Sequence, residues 1–290
     1  MMCRRPHVKN GATFGCGQCM PCRINKRRTW AHRIMLEALV SSSASFLTMT
    51  YDDEHLPDGG SLELRDVQLY WKSLRKAGFS FRYFVCGEYG DLSERPHYHA
   101  ALFGVPPCYC DFRSPDARCH CVLFRRLWGR GNLYWGEVTP ASAHYIAGYV
   151  TKKMSKEDPS LNGRYPEFAR MSLRPGIGAV AMSQVAAALR SEAGRKELAR
   201  TGDVPFVLRH GRGYHPLGRY LRQCLRKELS FVARDTGVVT FEKTQKLYAM
   251  YEASGAVEEG KAIWLWNKER EAQALENLIS RTKLKTRGRL

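Results

Sequence analysis

The triplet His97-Tyr98-His99 opens the stretch HYHAALFGV at 97–105, which reads as a strand. Side chains alternate between faces along a strand, so both imidazoles point one way and Tyr98 points the other. Two neutral imidazoles on one face can chelate a divalent cation. On its own, the pair reads more plainly as strand histidines satisfied by hydrogen bonds. Glu88 changes that balance. It ends the preceding strand candidate, FRYFVCGEYG at 81–90, and a hairpin between the two strands brings its carboxylate beside His97 and His99. Two nitrogens and one oxygen leave coordination positions open for water and phosphate oxygens. A cation held there can orient a phosphodiester and neutralise charge on its non-bridging oxygens.

A second reactive group follows in Tyr145-Ile-Ala-Gly-Tyr149-Val-Thr-Lys152-Lys153. On a helix, residues four apart share a face, so both phenols can reach one site. A tyrosine with a pKa of about 10 is a poor nucleophile while protonated and needs nearby positive charge or metal. Lys152 and Lys153, just beyond Tyr149, are placed to supply charge or to grip phosphate. Taken alone, the segment is an amphipathic helix with half-buried tyrosines; alongside the histidines it becomes the other half of a site.

These groups need elements to hold them. SFLTMTYDDEH at 45–55 reads as a strand ending in a polar turn, and 65–77 as a helix. The two strand candidates 81–90 and 97–105 are joined by the polar DLSERP loop, which favours antiparallel pairing. NLYWGEV at 132–138 is a further strand, and 141–154 reads as a helix. Helices packed on one face of an antiparallel sheet give an α+β core ending near residue 155. A basic, Cys-rich segment at 1–40, with a helix from Thr29 to Val40, precedes it, and a Cys/His-rich insertion at 106–124 interrupts it. The stretch 156–180 is loop-like, 182–200 is an alanine-rich helix candidate, and 242–280 is a longer helical pattern. Residues 156–290 thus form a basic, mainly helical extension.

Forty-six Lys and Arg against 28 Asp and Glu leave a net charge of +18, which points to a polyanionic partner, nucleic acid first. Basic stretches at 23–33, 209–227 and 281–290 would hold phosphates without reading bases. Trp30, Tyr134, Trp135 and Tyr214 are candidates for stacking on unpaired bases. No run of about 18 apolar residues exists to span a bilayer, and MMCRRPHVKN lacks the apolar stretch of a signal peptide, so the expected location is the cytoplasm, with no membrane partner.

FLTMTY at 46–51, HYH at 97–99 and Tyr145-x3-Tyr149-x2-Lys152 occur in the order of the three motifs of HUH endonucleases, the rolling-circle replication initiators, and the chain resembles that family. Glu88 falls where many members carry their third metal ligand. The paired tyrosines resemble the two-tyrosine subgroup. GEYG, ERPHYHAALFG, YIAGYVTKK, CGQCMPC and RPGIG are similar to replication proteins of microviruses, single-stranded DNA phages of the gokushovirus type, densely over about 14–178. The resemblance implies a split βαβ, RRM-like sheet and a metal-dependent nickase that also rejoins strands. Glu88, His97 and His99 would bind Mg²⁺ or Mn²⁺. Tyr145 or Tyr149 would attack single-stranded or locally melted origin DNA, leaving a 5′-phosphotyrosine link and a free 3′-hydroxyl. It also implies a bacterial host supplying helicase and polymerase, consistent with the lack of a GxxxxGK(S/T) loop.

Eight of the ten cysteines fall into two clusters, an arrangement that in a reducing cytosol more often holds metal than disulfides. Cys16, Cys19 and Cys22, completed by Cys3, suit a structural zinc or an iron–sulfur cluster. Cys108, Cys110, Cys119 and Cys121, with His120 among them, suit a second structural metal site. A zinc-containing nucleic-acid-binding protein without enzymatic activity, its HYH a structural ligand pair, is the competing reading from another class. Plasmid initiators, relaxases and transposases share the HUH chemistry, and a phosphohydrolase with a histidine nucleophile would leave both tyrosines dispensable.

Overall fold

The computed structural model describes residues 3, 5–9, 12–90, 93–110, 119–150, 161–211, 213–231, 245 and 247–287. Lys152, Lys153, the centre of the 106–124 insertion and the last three residues lie outside them. By its internal contacts the chain divides into two compact units, residues 27–186 with 206–225, and residues 1–26 with 187–205 and 226–290.

The elements of the first unit's core are β3 (Ala44–Thr50), α2 (Leu64–Lys76), β4 (Arg82–Tyr89), β5 (Pro96–Phe103), α3 (Cys121–Trp128), β6 (Leu133–Glu137), α4 (Pro140–Tyr149) and β7 (Phe168–Met171). The five strands form one antiparallel sheet in the order β6-β3-β5-β4-β7. This is the expected α+β class, with bounds within a few residues of the sequence reading. Two expectations fail. The 156–180 stretch is not all loop, because Phe168–Met171 pairs with β4 as an edge strand too short to announce itself by alternation. Helices also cover both faces of the sheet rather than one.

The alternation of side chains explains the two faces. Leu47, Met49, Val85, Tyr98, Ala100 and Leu102 meet α2 and α3 through Tyr70, Trp71, Phe124 and Trp128. Phe84, Cys86, Ala101 and Phe103 point oppositely and meet Ala31, Ile34 and Met35 of α1 (Met20–Val40) and Ala143, Ile146 and Ala147 of α4. The N-terminal helix therefore starts nine residues earlier than its apolar spacing suggests, at Met20; the basic run hides the pattern.

RPGIG at 174–178 is bound to α1. Glu37, almost fully buried, accepts from Arg82 Nε and from the Gly178 amide, while Arg33 Nε donates to the Ile177 carbonyl at 2.8 Å. Gly178 has φ of +82°, and a Cβ there would lie 3.0 Å from the Arg33 carbonyl oxygen, so glycine is required. Glu37→Ala is expected to destabilise the unit by about 3 kcal/mol, at the low end of the cost of breaking a buried pair, because Arg82 remains 27% exposed. The urea unfolding midpoint measures this. An unchanged midpoint would remove Glu37 from the account.

The basic stretch at 209–227 folds as the hairpin β8 (Val207–His210) and β9 (Gly213–Pro216) followed by α7 (Gly218–Glu228). Arg28 donates to the Tyr214 carbonyl, and the buried His32 faces the Pro216 carbonyl at 3.1 Å. Together with Arg33, these contacts show that part of the 23–33 run braces the fold.

In the other unit, β1 (His7–Lys9) pairs with β2 (Ala12–Phe14). The alanine-rich pattern at 182–200 is two helices, α5 (Met182–Leu189) and α6 (Glu192–Thr201), not one. Ser191 caps the second by accepting from the Gly194 amide. Arg226 grips Asp203 with two nitrogens at 2.8 and 2.6 Å. The chain's last described helix is α8 (Ile263–Arg287).

Candidate active site

The register of β4 against β5 sets Glu88 opposite His97 and Cys86 opposite His99, while β3 sets Thr48 opposite His99 from the other side. Glu88, His97, His99, Thr48 and Phe46 thus share the face covered by α1 and α4. Tyr98 points to the far face, where its hydroxyl bonds Tyr51 at 3.0 Å and takes the Glu63 amide at 2.7 Å.

Helix α4 begins at a capping box between Thr139 and Ser142 with Pro140 in its first turn, a start that fixes the helix over the sheet. Its buried Ala143, Ile146 and Ala147 seat it, and Tyr145 and Tyr149 descend toward the histidines. The Tyr145 hydroxyl donates to Glu88 Oε1 at 2.9 Å and lies 3.3 Å from His99 Nε2. Tyr149 also bonds Glu88, and its ring lies against His99 with centroids 6.2 Å apart. Glu88 Oε1 and His99 Nε2 are 2.7 Å apart in a nearly dry setting.

Two contacts missed from the sequence orient the imidazoles. His97 Nδ1 is 2.6 Å from the Arg95 carbonyl, which can only accept; Nδ1 therefore carries the hydrogen and Nε2 presents a lone pair. Thr48 Oγ1 holds His99 Nδ1 at 2.9 Å, and Phe46 stacks on the same ring. The strand register alone would have found Thr48, since it faces His99 on the shared face. Gly90 makes room for the first histidine, because a Cβ there would lie 3.0 Å from His97 Cε1.

A carboxylate and two imidazoles with their outer nitrogens fixed are a suitable donor set for a hard or borderline divalent cation. The set is not drawn fully together: the imidazoles are parallel with centroids 6.4 Å apart, and among the described residues the groups whose donor atoms converge within 4.8 Å are cysteine quartets.

Burial works against the Glu88 charge, but hydrogen bonds from His99 and both tyrosines outweigh it and hold its pKa below the usual value. Burial pushes Tyr145 up to about 12, and Tyr149 is raised by burial and by its bond to Glu88. In this arrangement the phenols are protonated donors. The sequence-based expectation that Lys152 and Lys153 assist them falls outside the described residues. Arg27 does reach this helix, donating from Nε to the His144 carbonyl at 2.8 Å.

A groove of about 890 Å³ runs along β6 and is lined by Phe46, Tyr109, Arg125, Tyr134 and the start of α4 at Thr139 and Ser142. Phe46 joins it to the histidines. Of the four aromatics read as stacking candidates, Tyr134 is 65% exposed in this groove and Tyr214 is exposed on its hairpin, whereas Trp135 is buried against Phe124 and Trp30 packs on Phe84.

The cysteine clusters converge as Cys3, Cys16, Cys19, Cys22 and as Cys108, Cys110, Cys119, Cys121, each able to hold a metal ion. His120 is not part of the second; its ring packs edge-on against Phe79 at 5.0 Å.

Residues 44–156 match the family of the replication-associated protein ORF2, a segment that runs from β3 through α4 and contains every residue of the site. The chain is 38% identical over 162 residues to replication-associated protein VP4 of Bdellovibrio phage phiMH2K, covering 49% of each. It is 30% identical over 179 residues to replication-associated protein ORF2 of Spiroplasma virus 4, covering 56% of this chain and 55% of that protein. Against replication-associated protein ORF4 of Chlamydia phage 1 the identity is 29% over 151 residues, covering 48% and 38%. The match thus spans about half the length of the first two relatives. No solved structure matches the chain.

Proposed function

We propose that this chain is a replication initiator of a single-stranded DNA phage, nicking one strand of single-stranded or locally melted origin DNA by tyrosine attack and later rejoining it. The observation that carries the reading is that both tyrosine hydroxyls bond the one carboxylate that pairs with His99, so nucleophiles and cation ligands share a site. Similarity to phage replication-associated proteins supports the biological setting.

Tyr145 or Tyr149 forms the new phosphorus–oxygen bond, and the bond from phosphorus to the 3′ oxygen breaks. The phenolic proton passes into the hydrogen-bonded Glu88–His99 pair, and the departing 3′ oxygen gains a proton from water. One strand end becomes a 5′-phosphotyrosine, which conserves the phosphodiester for rejoining. The other is a 3′-hydroxyl for a host polymerase, with a host helicase separating the strands in the bacterial cytoplasm. Glu88, His97 and His99 would hold Mg²⁺ or Mn²⁺, which when bound neutralises charge on the scissile phosphate. The second tyrosine, one helical turn away, can attack the regenerated origin and release a closed circle. Among the described residues no helix is long and apolar enough to cross a membrane.

The test is cleavage of an end-labelled single strand carrying the origin, with Mn²⁺ or with EDTA. The expected products are a 3′-hydroxyl fragment and a slow, protein-bound 5′ fragment, formed only with metal. Salt-sensitive binding without cleavage would favour the non-enzymatic reading.

The groove supplies a smaller prediction. A base stacked on an exposed aromatic contributes about 1–3 kcal/mol. Tyr134→Ala should therefore weaken single-strand affinity about tenfold in a fluorescence anisotropy titration at fixed salt, with the cleavage rate of bound DNA little changed. Unaltered affinity would place the strand elsewhere.

A further inference from the structure

Nicking leaves the cysteine quartets without a task, and their geometry decides between the metals that the sequence allows. A zinc–sulfur bond of about 2.3 Å in a tetrahedron separates the sulfurs by about 3.8 Å. Cys3 and Cys19 Sγ are 3.8 Å apart, Cys108 and Cys119 Sγ are 3.4 Å apart, and each quartet lies wholly within 4.8 Å. An iron–sulfur cluster, with several irons and sulfides between the thiolates, spreads them farther. All eight are free thiols, so the short spacings are not disulfides.

The second quartet is the better anchored. Cys108 follows the strand β5, and Cys121 is the first residue of α3; both are buried in the core with Phe124, Tyr70 and Trp128. The two Cys-x-Cys turns repeat one geometry, with the Cys110 amide donating to Cys108 Sγ and the Cys121 amide to Cys119 Sγ, both at 3.4 Å. Amides aimed at sulfur favour the thiolates that a metal needs. With four sulfurs and no nitrogen or oxygen donor, the site is closed, which suits a structural rather than a catalytic ion. Soft thiolates also select zinc over the Mg²⁺ or Mn²⁺ suited to Glu88 and the histidines.

We propose that Cys108, Cys110, Cys119 and Cys121 bind one zinc ion that staples the segment between β5 and α3 onto the core. A second zinc, carried by its own observations, is held by Cys3, Cys16, Cys19 and Cys22 in the other unit. There the Gln18 and Cys19 amides both donate to Cys16 Sγ, at 3.4 and 3.3 Å, and the Cys16 amide donates to Cys3 Sγ at 3.1 Å. The first zinc also fixes Tyr109, which lies between two ligands and is 78% exposed on the groove wall.

Elemental analysis of the full chain, purified without chelator or added metal, is expected to give two zinc per molecule. Cys108→Ser with Cys119→Ser should leave one, as should Cys16→Ser with Cys19→Ser. Should a variant fail to fold, the unaltered chain decides: peptide mapping after iodoacetamide should find all eight cysteines protected until a chelator removes the zinc. Cobalt exchanged into the protein should show the visible bands of a tetrahedral thiolate site. Iron with inorganic sulfide, disulfides within a quartet, or labelling that ignores the chelator would overturn the assignment for the quartet concerned. None of these readouts depends on strand cleavage, so the nicking proposal and the zinc proposal fail separately.

Discussion

Strand cleavage by the Tyr145→Phe, Tyr149→Phe double variant is expected to fall by about a thousandfold or more, to the limit of detection, because no phenol remains to form the covalent link. Both rings stay, so the packing of α4 on the sheet persists, and the Glu88–His99 contact at 2.7 Å needs neither hydroxyl. Circular dichroism and single-strand affinity should therefore match the parent. The single variants separate the roles. Each should still form an adduct through its remaining tyrosine, yet neither should release closed circles, since that step needs a second nucleophile on the same helix face. A double variant that cleaves at the parental rate would assign the chemistry to another nucleophile, as in a histidine phosphohydrolase.

His99→Ala should be almost as damaging, lowering cleavage by about 100-fold or more, in a way that added metal does not restore. His99 is the hub of the site: it meets Glu88, approaches Tyr145 at 3.3 Å, bonds Thr48 and lies against the Phe46 and Tyr149 rings. Its loss removes a donor and also releases the carboxylate and the tyrosine from their mutual positions. His97 makes a simpler contribution, since its Nδ1 bonds the Arg95 carbonyl and its Nε2 lone pair is left for a cation. His97→Ala should raise the Mn²⁺ concentration at half-maximal cleavage by about 10–100-fold and recover rate at high metal. Full rescue of the His99 variant by metal, or none for the His97 variant, would contradict this division.

Much of the site was legible because strand and helix periods are simple. Alternation put His97 and His99 on one face and Tyr98 on the other, and the register confirms that placement. The spacing of four put Tyr145 and Tyr149 on one side of a helix whose hydroxyls reach the same carboxylate. The spacing of the cysteines anticipated both quartets, but His120 was included by proximity in sequence, whereas its ring turns to Phe79.

What escaped depends on long-range contacts. β7 is four residues long and becomes a strand only by pairing with β4. The first residues of α1 are basic and polar, so no apolar stripe marks them. The arginines of 23–33 read as a phosphate-binding run, yet Arg27, Arg28 and Arg33 each donate to a carbonyl more than a hundred residues away in sequence. Charge counts show that such side chains exist; only the fold shows which of them are committed to holding it.

The most direct measurement is to trap the reaction with Mn²⁺ on single-stranded origin DNA, digest the SDS-resistant product, and locate the nucleotide-bearing peptide by mass spectrometry. The expected result is a phosphodiester-linked nucleotide on Tyr145 or Tyr149, absent when EDTA replaces the metal. A nucleotide on any other residue, or cleaved DNA with no linked peptide, would contradict the tyrosine-nickase account.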